Sequence, residues 1–95
     1  MLLCVAESDE VVIGYIVATS HLTLFADAPV CWVEEVMVSP QHRRAGVGAA
    51  LMNAAERWAE EMGAAYVSLA TRRAADFYRA LRYEESAVFF KKPLR

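Results

Sequence analysis

Two cysteines, Cys4 and Cys31, are all that the sequence contains, too few for a disulfide framework or a thiolate metal site. Both sit among apolar residues, so they are expected to be reduced core thiols of a cytoplasmic protein, with no metal bound. Positive charge is not in excess: ten Lys and Arg stand against twelve Asp and Glu, for a formal net charge of −2. A general nucleic-acid binder carries a basic excess, so no nucleic-acid partner is expected. No apolar run approaches the about 18 residues that a membrane helix needs. The longest candidate, residues 11–18, contains Gly14 and Tyr15 and reads as a strand. The first residues have no basic stretch ahead of an apolar one, so they do not read as a signal peptide.

What is abundant is apolar. Hydrophobic residues make up 57% of the chain and charged residues 23%, too apolar a balance for disorder. The length of 95 residues is that of one small domain with a narrow stability margin. With so much apolar residue for its size, some apolar surface is expected to face a partner, most simply a second copy in a homodimer.

β-rich runs at 2–7 and 11–20 flank the polar Ser8, Asp9 and Glu10 and predict a hairpin. A third strand is expected at 32–38, stopped at Ser39 and Pro40 because proline cannot donate to a ladder. Val47, Leu51, Ala54, Ala55, Trp58 and Met62 recur at helical spacing, with Glu56, Arg57, Glu60 and Glu61 on the other face and Gly63 at the C-cap position. A fourth strand is expected at 66–70, then a second helical stripe of Ala74, Phe77, Tyr78 and Leu81. A last short strand is expected at 88–90. The order β-β-β-α-β-α-β predicts an α+β fold, a mixed central sheet with helices packed on it and a parallel pair in the middle.

The most informative stretch is 33–52, a strand running through a glycine turn into the long helix. The first N–H groups of a helix have no internal partner and lie at the positive end of its dipole, which makes an anion site. Gly46 and Gly48 allow close approach of the backbone, and Arg43 and Arg44 add charge. The ligand this suits is a phosphate or diphosphate. A P-loop would need Gly-Lys-Ser/Thr, but Ala49 and Ala50 follow Gly48. A dinucleotide fingerprint needs a small residue where Leu51 stands and an acidic residue near Thr71.

The stretch Arg43-Arg44-Ala45-Gly46-Val47-Gly48 closely resembles motif A of the GNAT superfamily of N-acetyltransferases, Gln/Arg-x-x-Gly-x-Gly/Ala. Val38-Ser39-Pro40-Gln41-His42 is similar to the lead-in of that motif. Ala74-Ala75-Asp76-Phe77-Tyr78-Arg79-Ala80-Leu81-Arg82-Tyr83 resembles the family's Ala-x-x-Phe-Tyr-x-x-Leu-Gly-Tyr/Phe signature. The resemblance implies that acetyl-CoA is the co-substrate. It implies diphosphate contacts from Arg43, Arg44, Ala45, Gly46, Val47, Gly48 and Ala49, and pantetheine and acetyl contacts along Val36, Met37 and Val38. It also implies an amine acceptor.

Tyr78 matches the family's general acid, which protonates the departing thiolate, and Phe77 beside it is expected to fill a core role. Glu34 or Glu35 is the expected base. Adjacent strand residues point to opposite faces, and a β-bulge would shift which of the two serves. The backbone N–H near Met37 is the expected oxyanion donor.

Three positions depart from the pattern. Thr71 stands where the family commonly has an asparagine that contacts the cofactor, and its shorter side chain replaces only part of that bonding. Arg82 stands where glycine is usual. Either it adopts a left-handed conformation at a cost of roughly 1 kcal/mol, or the chain turns differently before Tyr83. The family's usual strand and helices ahead of the hairpin are not found, so a fragment or minimal version of the domain is expected. That leaves open the alternative of a non-catalytic CoA-binding or assembly module.

Overall fold

The computed structural model describes residues 1–24 and 27–95. Four strands, β1 (Leu2–Ser8), β2 (Val11–Thr23), β3 (Ala28–Val38) and β4 (Val67–Ser68), form one sheet in the order β1-β2-β3-β4. β1 and β2 are antiparallel, as are β2 and β3, while β3 and β4 run parallel. The long helix α1 (Val47–Glu61) joins the parallel pair, and the short helix α2 (Ala75–Ala80) follows β4. The expected α+β class and mixed sheet are therefore present. Phe25 and Ala26 lie outside the described residues.

α1 lies on one face of the sheet. Ile16, Ala18 and Val33 from the strands meet Leu51, Met52 and Ala55 from the helix in the buried cluster. The sequence stripe found this face but centred it slightly wrongly: Met52 is fully buried, whereas Met62 is exposed. Gly14 makes the close packing possible. A methyl there would lie 2.8 Å from the backbone oxygen of Met37 and 3.3 Å from both Leu51 Cδ1 and Val47 Cγ1. Hydrophobic periodicity does not reveal that requirement.

Several expected elements differ. The fourth strand is two residues, not five, because β4 pairs with β3 only at Cys31–Val67 and Trp32–Ser68. The β2–β3 register shifts just beyond, with Val17 opposite Glu35 and Ala18 opposite Val33, so Glu34 is the extra residue of a bulge. A bulge bends its strand, and β3 parts from β4 there. The expected last strand at 88–90 is not formed. Val88, Phe89 and Phe90 are 77%, 67% and 87% exposed, since so short a β4 gives them little ladder to join.

The expected turn before Tyr83 resolves in favour of the left-handed form. Arg82 has φ 71°, and Tyr83 N–H donates to Tyr78 O at 2.9 Å. The bonding that closes the helix outweighs the local penalty on a non-glycine residue.

Candidate functional site

The parting of β3 and β4 opens a cleft of ≈ 540 Å³. One wall is residues 33–37 of β3, the other is residues 69–74 and Tyr78, and Tyr15 lines it from β2. Beyond Trp32, β3 has no β4 partner, so its edge facing β4 carries backbone groups free to pair with a ligand. The cleft brings together Glu34, Glu35, Val36, Met37, Thr71 and Tyr78.

The bulge settles how two adjacent glutamates serve one region. Tyr15 Oη donates to Glu35 Oε1 at 3.2 Å, and Thr19 Oγ1 donates to Glu34 Oε1 at 3.2 Å. Tyr15 and Thr19 lie on the same face of β2 by strand alternation. Without the extra residue, neighbouring carboxylates would diverge. The Glu35 hydrogen bond and negative charge push the Tyr15 hydroxyl above its ordinary value. Neither Tyr15 nor Thr19 stands out in the sequence, because their value depends on cross-strand register.

At the end of β3, Pro40–His42 form a single 3-10 turn leading to α1. Arg43 Nε donates to Val38 O at 3.3 Å, tying the turn to the strand. Arg44 and Gly46 both take positive φ, 66° and 84°. Gly46 is the N-cap of α1, and neither a side-chain cap nor an acidic residue occupies the helix's first turn. The N–H groups of Val47, Gly48 and Ala49 precede the first internal bond, Ala50 N–H to Gly46 O at 3.0 Å. An uncapped N-terminus flanked by exposed Arg43 and Arg44 fits an anionic diphosphate.

Arg43, Arg44, Ala45, Gly46, Val47, Gly48 and Ala49 are not part of the cleft lining; they sit beyond its Met37 end. Phe77 bridges the two regions. A methyl at residue 48 would lie 3.2 Å from Phe77 Cζ and 3.9 Å from Val38 Cγ2. The expectation of a core Phe77 is thus corrected: its ring covers Gly48 and is partly exposed. Tyr78 is the residue that packs against the core.

Tyr78 meets Phe77 edge to face at 4.9 Å and Tyr83 at 5.9 Å. Burial pushes its hydroxyl above the ordinary tyrosine value, so it holds its proton at neutral pH. Thr71 Oγ1 accepts from Ala74 N–H at 3.1 Å, opening the α2 turn. One lone pair is committed to the backbone, which narrows what this side chain offers a ligand. Among the described residues, no group of three or more His, Cys, Asp or Glu is placed to hold a metal ion. Nor, among them, is any helix long and apolar enough to cross a membrane.

A mixed sheet whose parallel strands part beside an uncapped helix start is the α+β architecture that the sequence resemblance implied. The chain belongs to the GNAT acetyltransferase family, whose model matches residues 1–83. No curated protein matches it by sequence.

Solved structures do match. An aminoglycoside acetyltransferase, meta-AAC0020, from an uncultured soil metagenomic sample was solved with sisomicin. It is 23% identical over 96% of this chain and 64% of its own, with a TM-score of 0.83. The ribosomal-protein-alanine N-acetyltransferase of Brucella melitensis biovar Abortus 2308 is 20% identical over 96% of this chain and 66% of its own, with a TM-score of 0.74. The aminoglycoside N-acetyltransferase AAC(6')-Iy, solved with CoA, is 28% identical over 94% of this chain and 73% of its own, with a TM-score of 0.76. The chain thus spans less than two thirds of the length of the first two.

Proposed function

We propose that this chain transfers an acetyl group from acetyl-CoA to a primary amine by direct attack within a ternary complex. One observation carries the reading. The cleft holding two glutamates and Tyr78 runs along an unpaired strand edge toward an uncapped, arginine-flanked helix start. The CoA complex of AAC(6')-Iy, an enzyme of the same family, supports it.

In this reading the α1 amides and Arg43 and Arg44 bind the diphosphate. The β3 edge at Val36, Met37 and Val38 aligns the pantetheine arm. Glu34 or Glu35 takes a proton from the ammonium form of the acceptor. The neutral nitrogen then attacks the thioester carbon, and the carbonyl oxygen, negative in the tetrahedral intermediate, is stabilised by the N–H near Met37. The carbon–sulfur bond breaks, the Tyr78 hydroxyl protonates the thiolate, and the second proton that the nitrogen sheds on becoming an amide restores the tyrosine. Two carboxylates in the cleft favour a cationic acceptor, such as a polyamine-like small molecule or a protein amino group.

Two thiols without a disulfide support a reducing, cytoplasmic setting. The exposed apolar side chains of Leu3 and Val5 on one face of β1 are the support for a homodimer.

The test is release of free CoA across a panel of amines, with native chain and Tyr78→Phe compared. Turnover that drops at least tenfold in the variant is the expected result. CoA binding without turnover on any amine would instead favour a non-catalytic binding module.

A further inference from the structure

α2 carries Tyr78 and rests on apolar contacts alone, Tyr78 against the core and Phe77 over Gly48. The helix is six residues long and contains no buried residue. The ion pairs of Arg79, with Asp76 at 2.9 Å and with Glu85 at 3.6 Å, are exposed and stay within the C-terminal segment. They cannot anchor α2 to the sheet or to α1.

Tyr83 adds a directional, polar tie to α1. Its N–H bonds Tyr78 O at 2.9 Å, closing the helix end. Its ring stands edge-on to the Tyr78 ring, at 72° and 5.9 Å. Its hydroxyl donates to Glu56 Oε2 at 2.7 Å in a partly buried position. A hydrogen bond onto a carboxylate is among the stronger kinds, and here it crosses from the C-terminal segment to α1.

We propose that the Glu56–Tyr83 hydrogen bond is a clamp that fixes Tyr78 relative to the start of α1, making Glu56 and Tyr83 positioning residues for the transfer reaction. The role in catalysis rests on the reading of Tyr78 as the acid. One rigid element then sets two positions: its N-terminus offers the anion-binding amides, and Glu56, about 13 Å further along the axis, holds the tyrosine that closes the cleft. Tyr83 keeps its hydroxyl proton well past neutral pH, because burial and the Glu56 contact both push it up. The donor is therefore present throughout the working range.

The experiment uses the full chain with Tyr83→Phe, Glu56→Leu and Glu56→Gln. Each variant is followed by thermal unfolding, by the NMR titration of Tyr78 labelled at Cζ, and by kcat and KM for acetyl-CoA. In Tyr83→Phe and Glu56→Leu the Tyr78 titration is expected to move down toward the ordinary value of 10.0 as the ring gains solvent. kcat is expected to fall about tenfold, with KM unchanged, as for a misplaced catalytic group. Glu56→Gln, whose carbonyl oxygen still accepts, is expected to restore most of both.

The double variant Tyr78→Phe/Tyr83→Phe is expected to be no slower than Tyr78→Phe alone. An unmoved Tyr78 titration in both Tyr83→Phe and Glu56→Leu would overturn the clamp, as would losses that add in full. If Tyr78→Phe alone leaves turnover intact, or no amine turns over, the acid assignment fails, and the titration still decides the clamp.

Discussion

Gly48 lies directly beneath the Phe77 ring, where a methyl would meet Cζ at 3.2 Å. The contact joins the first turn of α1 to α2 and leaves the helix start without a side chain. Gly48→Ala sets two effects against each other. Alanine is favoured over glycine inside a helix by about 1 kcal/mol, and the partly exposed Phe77 ring can give way by a few tenths of an ångström. Stability by urea denaturation is therefore expected to stay within about 1 kcal/mol of the native chain. The methyl instead crowds the anion site, and CoA affinity by calorimetry is expected to fall about tenfold, equivalent to 1.4 kcal/mol.

Gly14→Ala is expected to behave in the opposite way. The added methyl would lie 2.8 Å from the Met37 backbone oxygen, and backbone cannot swing aside as a ring can. A loss of about 1–3 kcal/mol is expected, read as a lower urea midpoint with unchanged slope. Because the strain falls on β3 at Met37, acetyl-CoA affinity is expected to drop as well.

Arg82→Gly is expected to stabilise the protein. Arg82 holds φ 71°, a conformation that costs a non-glycine residue roughly 1 kcal/mol. Removing that cost raises Tm by about 4–8 °C for a domain of this size, measurable by calorimetry.

Alkaline pH is expected to destabilise the fold. Tyr78 and Tyr83 have hydroxyls raised above 10.0, mainly by burial. Below that pH both folded and unfolded chains keep these protons, and stability does not depend on them. Above it the unfolded chain releases protons first, so stability falls as pH rises toward the folded-state values. Tyr83→Phe removes the largest such group and should flatten this limb in pH-dependent urea titrations, after allowance for its lower starting stability.

Local residue chemistry already marked much of this protein. The spacing of Val47, Leu51, Ala55 and Trp58 specified α1, because helical periodicity is written in consecutive residues. Gly46, Gly48 and their neighbouring arginines marked the candidate anion site, because helix N-termini have unsatisfied donors wherever they occur. Tyr78 stood out through the resemblance of its segment to a family signature.

Tertiary structure alone decided the rest. That Glu34 and Glu35 both serve one cleft depends on the β2–β3 register, a non-local pairing. That β4 is two residues long depends on where β3 bends away from it. The need for glycine at position 14 exists only because Met37 and α1 converge there, and Glu56 acquires its partner only when Tyr83 is folded back onto α1. Periodicity and motif describe one segment at a time, whereas these features arise from distances between segments.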